Sequence, residues 1–115
     1  MLTMLGIPNC DTVRKARKHL EQMEVGYAFR DLRKQPLTAD EWHDLVIQDK
    51  TGNLLNRRSP TFRKTGKVAA ELDSRALAEL LTEHPTAVKR PVILAQSSLV
   101  SIGYSQDRFA AFAQA

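Results

Sequence analysis

The sequence has little of what marks several protein classes. Among its 115 residues there are one cysteine, three histidines and five residues each of glycine and proline. One thiol cannot close an internal disulfide, so a small disulfide-stapled secreted domain is excluded. Cys10, His19, His43 and His84 show no metal-ligand spacing, and no bound metal is expected. The modest glycine and proline content leaves no collagen-like repeat or disordered tract. No apolar run approaches the ~18 residues of a membrane helix. The opening Met1-Leu2-Thr3-Met4-Leu5-Gly6 lacks the basic start and long apolar segment of a secretory signal peptide. The expectation is one cytoplasmic domain over residues 1–115, a monomer with no membrane partner.

A large charge excess is missing too. Seventeen Lys and Arg stand against 13 Asp and Glu, a net of +4. The basic residues are dispersed, with two modest concentrations at Arg14-Lys15-Arg17-Lys18 and Arg57-Arg58-Arg63-Lys64. A charged helix face or a small-anion site explains these more simply than a nucleic acid, which is not expected as a partner.

What is present is the patterning of a globular α/β chain. Hydrophobic residues make up 43%, enough for a buried core at this length. The apolar run over residues 2–7 reads as a buried strand, broken by Pro8 and Asn9. From Asp11 the pattern turns helical, with Val13, Ala16, Leu20 and Met23 on one face and basic residues, His19 among them, on the other. Gly26 is the expected stop. Residues 27–32 read as a second strand, parallel to the first through a right-handed crossover.

Thr38-Ala39-Asp40-Glu41 is a capping box that opens a helix carrying Trp42, Leu45 and Val46 inward. Leu54-Leu55 reads as a short helical turn, and residues 61–64 as a short helix. Asp73 or Ser74 caps a helix that buries Ala76, Leu77, Leu80 and Leu81 and ends at His84-Pro85. Val92-Ile93-Leu94-Ala95 has the continuous apolar character of a central strand. Residues 99–102 are its hairpin partner, and Phe109, Phe112 and Ala113 share a face of a last helix. This order predicts an α/β thioredoxin-like fold: a small mixed four-stranded sheet packed by helices, with a helical insertion over about 38–84.

Cys10 carries the chemistry. It falls at the turn from the first strand into the first helix, where free backbone N–H groups and the helix dipole favour a thiolate. Such positions lower a thiol from ~8.5 into the ~3.5–7.5 range. Arg14, one turn on, adds to this, while Asp11 opposes it. Lone cysteines are commonly buried and inert, but Pro8, Asn9, Asp11 and Thr12 are turn and cap residues rather than core. Asn9 fits two roles, capping the helix or donating to the sulfur. Val13 stands where a Cys-x-x-Cys pair would have its second thiol. An oxidised Cys10 therefore needs an external thiol, and glutathione is the abundant candidate.

Four segments together resemble the ArsC/Spx family, and within it the YffB-type subgroup of glutathione-dependent thiol reductases. They are Gly6-Ile7-Pro8-Asn9-Cys10-Asp11-Thr12, Leu54-Leu55-Asn56-Arg57-Arg58, Lys89-Arg90-Pro91-Val92-Ile93 and Gly103-Tyr104-Ser105. The resemblance implies that Cys10 is the nucleophile, Arg90 an anion-binding arginine and Pro91 the cis-proline of the fold. It implies Arg58 as the replacement for a family arginine whose expected position is Asn56. The last family arginine falls at Gly103, and losing it removes a charge-assisted hydrogen bond of ~1.5–3 kcal/mol.

The resemblance thus implies a thiol-dependent oxidoreductase, with no bound cofactor and glutathione as co-substrate. A glutaredoxin-type reductant and a small oxyanion or disulfide substrate go with it. Two alternatives are a non-catalytic Spx-like module that partners RNA polymerase, and an arsenate reductase proper.

Overall fold

Short apolar runs alternate with amphipathic segments along the chain, and the computed structural model, which describes residues 1–114, turns them into strands and helices in that order. Strand β1 (Leu2–Gly6) leads through helix α1 (Asp11–Gln22) to β2 (Tyr27–Asp31). Three helices follow: α2 (Ala39–Gln48), α3 (Pro60–Lys64) and α4 (Ser74–Glu83). Then come β3 (Val92–Ala95), β4 (Ser98–Ile102) and α5 (Gln106–Ala110). Single 3-10 turns occupy Ala69–Glu71, Pro85–Ala87 and Ala111–Gln114. The chain forms two compact units, one of Met1–Lys34 with the residues from Arg90 onward, the other of Gln35–Lys89.

The first unit is built on a four-stranded sheet in the order β2-β1-β3-β4. β1 and β2 are parallel, from Leu2↔Tyr27 to Gly6↔Asp31, while β3 is antiparallel to both β1 and β4. Met4, Val13, Ala16, Leu20, Ile93 and Phe109 form the core. Each large side chain removed from water there contributes about 1.5–3 kcal/mol.

Gly6 permits a close approach of β1 to α1. A Cβ on it would lie 2.9 Å from Val13 Cγ2 and 3.2 Å from Val13 Cγ1. Arg17 clamps α1 to the edge strand: its guanidinium lies 4.1 Å from the Phe29 ring centroid, and its Nε donates to the Tyr27 hydroxyl at 3.0 Å.

In the first unit two details depart from the sequence reading. Helix α1 ends at Gln22, with Glu24 rather than Gly26 taking the left-handed conformation, φ 58°. Val25 N–H reaches back to the Leu20 carbonyl at 3.0 Å, so the reversal is complete before Gly26. His19 is half-buried rather than superficial. Its Nδ1 lies 2.8 Å from the Tyr104 hydroxyl, and its ring stacks on Phe109.

In the second unit the predicted capping box is complete. Glu41 N–H donates to Thr38 Oγ1 at 3.2 Å, and Thr38 N–H donates to Glu41 Oε1 at 2.9 Å. Helix α2 packs on α4, with Trp42, Leu45, Leu80 and Leu81 buried and Val46 half-buried. Asp73 is the residue that caps α4. Ala78 is the buried alanine, while Ala76 and Leu77 stay half-buried, so the apolar stripe is rotated slightly from the predicted one.

Leu54-Leu55 is not a helical turn. Leu55 bridges Val88 antiparallel, Lys89 N–H donates to the Leu54 carbonyl, and Asn56 N–H donates to the Ala87 carbonyl, each bond 2.8 Å. Two adjacent leucines bury as well in an extended pair as in a helix, and the pairing partner lies more than thirty residues away.

Candidate functional site

The sheet topology brings Cys10 and Arg90 together. β3 runs antiparallel to β1 with Leu5 opposite Val92, so residues just before β3 lie beside those just after β1. Cys10 is the N-cap of α1, with extended backbone (φ −99°, ψ 125°), and its carbonyl accepts Arg14 N–H at 2.9 Å. Its sulfur makes no short cap bond of the kind a Ser or Asp oxygen makes. The Val13 and Thr12 N–H groups and the Arg90 guanidinium instead favour its ionised form.

The thiol is half-buried and free. Burial is the largest single influence on it and opposes ionisation. The hydrogen bond from Val13 N–H, the hydrogen bond and charge of Arg90, and the Thr12 N–H together outweigh that burial, and the pKa is lowered. The helix N-terminus thus acts here through two named amides.

The Arg90–Pro91 peptide is cis. Pro91 presents its carbonyl to Gly103 N–H at 2.8 Å, which ties the start of β3 to the end of β4. Gly103 is buried with φ +76°, a conformation that favours glycine, so this position supplies no guanidinium and resists a side chain. Arg108, the next arginine along the chain, donates to the Ile102 carbonyl at 2.9 Å.

Other expected residues take different places. Arg14 pairs with Asp11 rather than with the sulfur, because the carboxylate three residues back is a stronger acceptor than a thiolate across the turn. That pair also removes the expected opposition from Asp11. Asn9 is exposed and does not cap the helix, since Cys10 itself holds that position. Arg58 lies in the second unit, where its N–H donates to Asn56 Oδ1 at 3.1 Å. With Arg57, Lys89, Asn56, Asn53 and Thr51 it lines a cleft of about 650 Å³ that holds three cations and no carboxylate.

Sequence reasoning did not single out the Val13 and Thr12 amides, Gly6 or the Gly103 N–H. The amides follow from the N-cap position. Gly6 carries a weak signal, a glycine closing a strand before a helix.

The sequence pattern of the ArsC family matches residues 5–112. The global transcriptional regulator Spx of Listeria innocua is 32% identical over 114 residues, which is 97% of this chain and 86% of that protein. Among solved structures, the YFFB protein superposes with a TM-score of 0.85 at 31% identity, covering 96% of this chain and 97% of the other. An arsenate reductase (ArsC) related protein from Brucella melitensis is 35% identical, with a TM-score of 0.77 over 96% of this chain and 92% of its own. The fold is the thioredoxin-like α/β fold of these structures.

Proposed function

The chain belongs to the ArsC family, and from that membership we propose that it is a thiol-dependent reductase whose nucleophile is the Cys10 thiolate and whose electrons come from glutathione. One observation carries the reading: a half-buried cysteine faces two helix-start amides and an arginine that precedes a cis-proline, and its thiol is shifted toward the ionised form.

The thiolate attacks one sulfur of a disulfide, forming a mixed disulfide with Cys10 and releasing the other half as a thiolate. A glutathione thiolate then attacks the sulfur held on Cys10, forming a disulfide with that half as the bond to Cys10 breaks and the Cys10 thiolate is released. Arg90 steadies the anionic sulfur and offers a planar fork to a carboxylate or oxyanion. Arg58 is an anion-binding candidate within its own cleft, beside Arg57 and Lys89.

Arsenate reduction is the weaker reading, because Gly103 provides no guanidinium at the position of the family's last arginine. A regulatory role is the second reading, and the identity with the Spx regulators favours it.

The test is glutathione-coupled reduction of a small disulfide by the wild-type protein, Cys10→Ser and Arg90→Lys. The proposal expects turnover that Cys10→Ser abolishes and Arg90→Lys reduces, since a lysine keeps the charge and loses the fork. Wild-type turnover no faster than free glutathione sinks it and leaves the regulatory reading.

A further inference from the structure

Parallel neighbouring strands end on the same side of a sheet. β1 and β2 are in register at Gly6↔Asp31, and Leu32 N–H donates to the Gly6 carbonyl at 2.9 Å. The turn that closes β2 therefore lies beside the turn that carries Cys10. Adjacent strands lie about 4.8 Å apart, so the two turns are neighbours.

In the β2 turn the Asp31 carboxylate accepts Arg33 N–H at 2.9 Å, and the Asp31 carbonyl accepts Lys34 N–H at 3.1 Å. Arg33 and Lys34 are exposed, and neither makes an ion pair among the described residues. The further charges at this end of the sheet include Arg30 on β2, Asp11 paired with Arg14, Arg90 beside Cys10, Arg108 on the Ile102 carbonyl, and Asp107 in the first turn of α5. Arg33 and Lys34 are the exposed cations that the turn itself adds to this end.

We propose that the Asp31–Lys34 turn is the recruiting surface of the Cys10 site and selects disulfides that carry carboxylates. The proposal rests on the reading of Cys10 as a nucleophile and adds the chemical class of its partner. Arg90 acts at the sulfur, whereas Arg33 and Lys34 act on the approach, raising the local concentration of an anionic partner before the bond changes. In the step itself the Cys10 thiolate bonds to one sulfur of the partner and the S–S bond breaks. The other half leaves as a thiolate that takes its proton from water. Cys10 is oxidised, one half of the partner is reduced, and no other reactant is needed.

The test compares three disulfides of different charge on wild type and on the Arg33→Ala/Lys34→Ala double variant. They are glutathione disulfide, which is net anionic, neutral 2-hydroxyethyl disulfide and cationic cystamine. Both side chains are exposed and the turn uses only their backbone, so the variant is expected to fold like the wild type.

At low ionic strength the variant should react roughly two- to fivefold more slowly with glutathione disulfide. Its rate with the neutral disulfide should be unchanged and its rate with cystamine higher, and ~1 M salt should erase both differences. A charge preference that ignores the double substitution overturns this proposal alone. A wild-type thiol inert to the neutral disulfide and to iodoacetamide overturns the reading of Cys10 and this proposal with it.

Discussion

Replacing Gly6 with alanine tests how closely α1 is seated on the sheet. The added Cβ would meet Val13 Cγ2 at 2.9 Å and Cγ1 at 3.2 Å, with Phe29 Cε1 at 3.6 Å. Val13 is fully buried, so its methyls have little room to retreat. Overpacking of this kind costs about 1–3 kcal/mol. Gly6 is not in the left-handed region, so alanine also stiffens the unfolded chain and recovers about 0.4–1 kcal/mol. The net expectation for Gly6→Ala is a loss of about 1–2 kcal/mol in urea denaturation.

Val13→Ala alone empties a buried site and costs about 2 kcal/mol. In that background the clash is gone and the new methyl fills part of the cavity, so Gly6→Ala should become neutral or stabilising. The coupling energy of the double-mutant cycle should be at least about 1 kcal/mol. An equal cost of Gly6→Ala with and without Val13 would refute the packing argument. Because Val13 N–H is one of the amides acting on Cys10, the single variant should also slow thiol alkylation, and Val13→Ala should restore part of it.

Arg90→Gln removes the charge beside the sulfur. A charge-assisted hydrogen bond of ~1.5–3 kcal/mol, discounted for a half-exposed thiol, leaves about 1 kcal/mol, or roughly a fivefold lower thiolate fraction near neutral pH; alkylation rates read it directly. Linkage gives the matching stability effect. The folded Cys10 pKa is lowered, so its contribution is present above the unfolded value of ~8.5 and is lost as pH falls through the folded value. Urea stability should therefore rise with pH across that window, and Arg90→Gln or Cys10→Ser should flatten the rise.

Asp49 accepts Thr51 N–H at 2.9 Å, the Thr51 hydroxyl at 2.6 Å and Leu54 N–H at 2.9 Å. Burial works against its ionisation, but these donors prevail and hold its pKa low. Asp49→Ala should cost about 1–2 kcal/mol, a difference that narrows below the ordinary carboxylate range as the wild-type group protonates. Glu24→Gly should stabilise by about 0.5–1 kcal/mol, since φ 58° strains a side chain; thermal denaturation checks it.

Local signals in the sequence located most elements. The capping box at Thr38 and Glu41 placed the start of α2, and the apolar run at Val92–Ala95 placed the central β3. Non-local geometry was less legible. Leu54-Leu55 pairs with a segment near Val88, and nothing in its own composition distinguishes that from a helical turn. Glu24 took the left-handed position expected at Gly26, because the reversal is set by where Val25 N–H reaches back to Leu20.

At the site, the strand-to-helix turn and Arg90-Pro91 were readable because each is a local motif. Arg14 was misjudged, because the competition between Asp11 and the sulfur for its guanidinium depends on side-chain geometry. His19 looked superficial on a helical wheel, yet Tyr104, eighty-five residues away, covers it.

The central claim is that Val13, Arg90 and Thr12 shift Cys10 toward the thiolate against the cost of its burial. The most direct measurement is the rate of Cys10 alkylation by iodoacetamide as a function of pH, with one thiol in the chain and no competing signal. The account predicts an inflection below ~8.5, the value of a free cysteine. An inflection at or above that value contradicts it.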